Sequence, residues 1–79
     1  MAALEQSYVQ LRFSRYHRGR WLTLACEAEP QKARRRAAAL YQGARTACGD
    51  HPIAVRVVTG GQIPPEQRHV ELGELALAV

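Results

Sequence analysis

Apolar and polar residues alternate along "YVQLRFSRY". Val9, Leu11 and Phe13 fall on one side, and Tyr8, Gln10, Arg12, Ser14 and Tyr16 on the other. A period of two is the mark of a strand with one buried face, which predicts a strand over 7–16. "HRGR" at 17–20 contains Gly19 and separates two alternating runs, so a hairpin turn is predicted there. "WLTLACE" then predicts a second strand over 21–27, with Leu22, Leu24 and Cys26 inward and Trp21, Thr23 and Ala25 outward.

At "EAEP" the period changes from two to 3.6. Pro30 suits the first turn of a helix, where its missing N–H costs nothing. On a helical wheel Ala33, Ala37, Leu40, Tyr41, Ala44, Ala47 and Cys48 share one arc, and Lys32, Arg34, Arg35, Gln42, Arg45 and Thr46 fill most of the rest. A helix over 30–48 is predicted, stopped by Gly49 and Pro52. "IAVRVVT" predicts a third, β-branched strand over 53–59, with Ile53, Val55 and Val57 inward and Arg56 outward. "GGQIPPEQ" reads as turn and loop, "RHVEL" as a short fourth strand over 68–72, and 74–79 as its extension or a tail.

These elements define an α+β fold in β-β-α-β-β order. A three- to four-stranded antiparallel sheet carries one helix packed on one face, because that layout buries all the apolar stripes together. The second sheet face is expected to stay open. Length changes this picture little: 79 residues make a single small domain spanning 1–79. Such a chain buries only about 60–65% of its unfolded surface, which leaves little room for a deep pocket.

Charge changes it more. The chain carries 11 basic and 7 acidic residues, a net charge of +4, with a pI near 9.7. Lys32 is the sole lysine, and arginine binds carboxylate and phosphate bidentately as lysine does not. A basic balance favours acidic partners.

Candidate chemistry is sparse. Cys48-x-x-His51 with Cys26 falls short of the four clustered ligands of a structural zinc site, so no metal and no cofactor are expected. Cys26 precedes the predicted helix and Cys48 ends it. A helix of that length spans ~27 Å, against about 7 Å between bridged Cα atoms, so no disulfide between them is expected. His17, His51 and His69 lie in or near turns, and "TGGQ" lacks the lysine and context of a phosphate loop. Glu66, Glu71 and Glu74 have no partner acid for general acid–base work. No catalytic residue is assigned and a non-enzyme is expected. "MAALEQSYVQ" has no basic region followed by an apolar run, and no stretch approaches the ~20 apolar residues of a membrane span. A cytoplasmic protein with no membrane partner is therefore expected.

Two faces are candidates for binding. On the helix, Lys32, Arg34, Arg35 and Arg45 form a face of one sign, without the i, i+4 acids that usually support exposed helices. On the open sheet face, Tyr8, Arg12, Tyr16, Trp21 and Arg56 interleave aromatic rings with arginine. That mixture suits a protein interface, self-association as a homodimer, or stacked bases and phosphates.

The segments "TLACEAEPQKARRRAAAL" and "GDHPIAVRVVTGG" carry one resemblance. In length, element order and composition, residues 20–61 are similar to small phage-borne anti-CRISPR proteins that act on type I surveillance complexes. The resemblance implies a non-enzymatic inhibitor that binds a Cas subunit and blocks target-DNA recognition, working in the cytoplasm of the host cell. With a basic chain, the partner would be a Cas subunit or another acidic protein surface. The alternative is a small basic nucleic-acid-binding module using the sheet face or the Arg-rich helix. Because the basic residues divide between two faces, only weak non-specific nucleic-acid binding is expected.

Overall fold

The computed structural model describes residues 5–15, 17–50 and 52–70. Strand β1 (Ser7–Phe13) runs to a tight turn at His17–Gly19 and returns as β2 (Leu22–Glu27). Helix α1 (Pro30–Cys48) crosses to β3 (Ile53–Thr59), and two short turns follow at Gly60–Gln62 and Pro65–Gln67. The sheet order is β2-β1-β3, antiparallel throughout, so the α+β fold stands as expected.

β1 is central and buried on both sides except at Arg12. It stops at Phe13, short of the expected 16, because Phe13 pairs with Ile53 and the next position of β3's chain is Pro52. Ser14 still donates its N–H to the Pro52 carbonyl at 3.3 Å. Arg18 (φ 56°) and Gly19 (φ 69°) then turn the chain through left-handed backbone conformations; glycine adopts these freely and arginine only at a cost.

The helix begins at Pro30, with Ala33 donating its N–H to the Glu29 carbonyl. It ends at Gly49 (φ 61°), whose N–H returns to the Arg45 carbonyl. Its small residues set the packing. Ala33 and Ala44 are buried against the sheet, and Ala37 and Leu40 are half-buried beside them. Alanine lets the helix approach closely, so Val9, Leu11, Phe13, Leu22 and Leu24 complete a thin core with Ile53, Val55 and Val57 at its rim. Tyr41 and Ala47, expected on the buried arc, are exposed: the narrow sheet does not reach that side of the helix.

Strict alternation fails in β2. Val9 pairs with Ala25 but Gln10 with Thr23, so Leu24 is the extra residue of a bulge. Leu24 and Ala25 both join the core. Cys26, expected inward, instead pairs with Tyr8 on the opposite face, where its thiol donates to Gln6 Oε1.

The second sheet face is not open. Residues 60–70 cross it as a strap. Gln67 bonds to Gln10 and Thr23, the Gly60 N–H donates to the Gln6 carbonyl, and Ile63 is buried. Tyr8, Gln10 and Thr23 are buried as a result. The expected fourth strand over 68–72 does not form in its described part, Arg68–Val70. Pro64 and Pro65 enforce a short turn, and the Gln67 and Arg68 N–H groups are taken by the carbonyls of Pro64 and Pro65. Residues 71–79, with the rest of that strand and the expected tail, lie outside the described residues.

Candidate binding face

Trp21 lies on this same outer face, beside Arg12 and Arg56. It sits just before β2, one step past the Leu11–Leu22 pair, and is half-buried. The Arg12 guanidinium carbon lies 4.9 Å from the Trp21 ring centroid and that of Arg56 lies 4.1 Å from it. Attraction of a guanidinium to an indole contributes about 0.5–1 kcal/mol when exposed and ~2 kcal/mol when desolvated. Arg12 is exposed and Arg56 half-buried, so Arg56 has the stronger contact. The two like charges also repel. Burial first, and then the Arg12 charge, push the Arg56 guanidinium below its ordinary pKa. Among the described residues neither arginine pairs with a carboxylate.

Behind Arg56 lies a polar network. Its Nε donates to Gln10 Oε1 at 2.8 Å. Gln10 Nε2 donates to Thr23 Oγ1 at 3.1 Å and to Gln67 Oε1 at 3.0 Å. The Thr23 hydroxyl donates to the Gln67 carbonyl at 2.6 Å. Gln10 and Thr23 have no exposure to solvent, so these bonds offset the cost of taking their polar atoms out of water. Arg68 braces the strap from within, donating from Nε to the Gly60 carbonyl and from Nη2 to that of Ile63.

Beyond Arg12 the chain turns through Arg15, Arg18 and Arg20, all exposed. No acid occurs between Gln6 and Cys26. No alternating pattern marks these turn arginines, so sequence reasoning passes them over as site candidates. Gln10, Thr23 and Gln67 carry no signal either, since a polar outward residue reads as solvated until something covers it.

The other expected site residues separate. Tyr8 leaves the binding face: it is buried beneath the strap. Burial first, and then the adjacent Cys26 thiol by charge and hydrogen bond, raise its phenol pKa, with Arg68 acting in the opposite sense. Tyr16 lies outside the described residues. On the helix, Lys32, Arg34 and Arg35 are exposed as expected. Arg45 does not join them as a free cation, because its Nη2 donates to the Gly49 carbonyl and serves the helix end. The arginine run is also not wholly uncompensated: Arg36 Nη1 meets Glu27 Oε2 of β2 at 2.8 Å. Among the described residues no group of three His, Cys, Asp or Glu side chains could hold a metal ion, and no helix is long and apolar enough to cross a membrane.

The molecule is thus an α+β domain whose second sheet face is strapped by its own chain, with an arginine–tryptophan patch on that face. Compared with known proteins, it matches no family model, no curated protein and no solved structure.

Proposed function

We propose that this protein is a non-enzymatic binding protein that docks its Arg12–Trp21–Arg56 patch, with the turn arginines beside it, onto an acidic protein surface and acts by occluding that surface. The inhibitor of a type I CRISPR-Cas surveillance complex implied by the sequence resemblance is the specific form of this reading. Its partner would be a Cas subunit, and its effect the loss of target-DNA recognition.

One observation carries the proposal. Two guanidiniums are held on a single indole, and no described carboxylate neutralises either one. Holding like charges together is unfavourable in the free protein, and an acidic partner relieves it. Tryptophan and arginine are also the residue types that concentrate binding energy at protein interfaces.

The second reading, a small nucleic-acid-binding module, is favoured by Arg12, Arg15, Arg18 and Arg20 in a stretch free of acids. Base stacking counts against it. Tyr8 is buried and the Trp21 ring already carries two guanidiniums, so neither of these two sheet-face rings among the described residues is a free stacking platform.

The test is titration of a purified type I surveillance complex, with and without nuclease treatment, across a salt series. Saturable binding that weakens with salt is expected, reduced at least about tenfold by Arg12→Glu. Its side chain is exposed and makes no hydrogen bond to a described residue, so the fold should persist. No binding removes the CRISPR form of the proposal. Submicromolar binding to random duplex or single-stranded DNA near physiological salt, measured by fluorescence anisotropy, puts the nucleic-acid module first. A dimer that Arg12→Glu dissociates, measured by light scattering, makes a second copy of the chain the partner.

A further inference from the structure

Arg56 is positioned by a relay that begins in the strap. Gln10 has one carbonyl oxygen and two amide hydrogens to satisfy, and it has no solvent. Its two hydrogens go to Thr23 Oγ1 and Gln67 Oε1, which fixes which way the amide faces. Only then does Oε1 face the Arg56 Nε and accept from it. With Nε taken, Nη1 and Nη2 are the donors of Arg56 without a hydrogen-bond partner among the described residues. Those two nitrogens form the end-on edge that grips both oxygens of an oxyanion.

We infer that Gln67 is a positioning residue for the binding patch: acting through Gln10, it holds Arg56 on Trp21 with its terminal edge left for a carboxylate of the partner. The choice of a carboxylate rests on the acidic-partner reading above; the relay itself does not. The strap is therefore part of the binding site although it makes no contact with Trp21 through any bond described. If Gln67 withdraws, Gln10 loses one of the two acceptors that orient it. Arg56 then loses the bond that restrains it against the repulsion of Arg12.

Two variants separate positioning from plain stability. Gln67→Met keeps the length of the side chain and removes the acceptor; Gln67→Glu keeps an acceptor oxygen for Gln10 Nε2. The first readout is the Arg56 Nε–H resonance in ¹H–¹⁵N spectra, with its exchange rate against water. It requires no ligand, and dispersed backbone amides in the same spectrum report an intact fold. The second is affinity for a hexaglutamate peptide, followed by the fluorescence of Trp21, the protein's only tryptophan. In Gln67→Met the Nε–H should exchange faster and the peptide bind more weakly, each by about 2- to 10-fold, the range set by one hydrogen bond. Gln67→Glu should restore the Nε–H protection, the readout that its added charge leaves interpretable. Unchanged exchange in a folded Gln67→Met protein, or equally faster exchange in both variants, overturns the inference. Hexaglutamate failing to bind the wild type counts against the acidic-partner reading, and the exchange readout still decides the role of Gln67.

Discussion

Arg56 and Trp21 lie 4.1 Å apart, guanidinium carbon to ring centroid, and the same guanidinium holds a buried amide through Nε. One side chain therefore joins the half-buried patch to the interior of the sheet face. Arg12 touches the ring from 4.9 Å and holds nothing else among the described residues.

That difference predicts unequal costs. Arg12→Ala should lower stability by at most about 0.5–1 kcal/mol, the value of an exposed ring contact less the repulsion of Arg56 that it relieves. Arg56→Ala should cost about 2–4 kcal/mol, because it also leaves the buried Gln10 Oε1 without a donor. Urea unfolding followed by far-ultraviolet circular dichroism measures both without relying on Trp21. Equal losses would mean that the Gln10 bond contributes nothing.

Two glycines should respond with opposite signs. Gly43 lies inside α1, and a Cβ added there would meet nothing within 4 Å. Gly43→Ala should therefore stabilise the protein by about 0.5–1 kcal/mol through helix propensity. Gly49 ends α1 at φ 61° and ψ −124°, a conformation alanine resists. Gly49→Ala should cost about 1–3 kcal/mol. Thermal melts of both variants check the pair, and a stabilised Gly49→Ala would refute the helix-end geometry.

Tyr8 gives the protein a weakness in alkali. Its phenol pKa is raised in the folded state above the ordinary 10.0, chiefly by burial. The neutral phenol is thus favoured by folding. Its contribution is complete below about pH 10 and is lost as pH rises through the higher folded value. Tyr8→Phe cannot ionise, so its stability should hold relative to wild type as pH climbs above about 10. Parallel curves for the two proteins would show that Tyr8 is not buried as described.

The pattern of the chain announces its local elements well. Helix α1 and strand β3 fall where periodicity puts them, because Pro30, Gly49 and the β-branched run 53–59 each act through their own backbone. Trp21, Arg12 and Arg56 share a face as alternation requires. What alternation misses depends on distant residues. The bulge at Leu24 comes from how β2 must seat Ala25 beside Val9 and Ala33, and nothing local in "WLTLACE" marks it. The burial of Tyr8 depends on a strap from beyond β3, held by Gln67. Arg36 and Glu27 lie on different elements, so helix spacing alone could not pair them.

The strand order β2-β1-β3 also governs how the protein reaches its fold. β1 finds β2 across a short turn, a fast local event. Its other edge stays bare until β3 arrives from beyond the whole of α1, and closing so long a loop is the slow kind of step. Until then the middle of the future sheet is an edge, lined by Val9, Leu11 and Phe13 and open to any passing strand. The same interval leaves Gln10 without Gln67. A hydrated amide in the centre of β1 keeps the unfinished hairpin wetter on that side, and so less adhesive, until the chain segment that will dry it comes into reach.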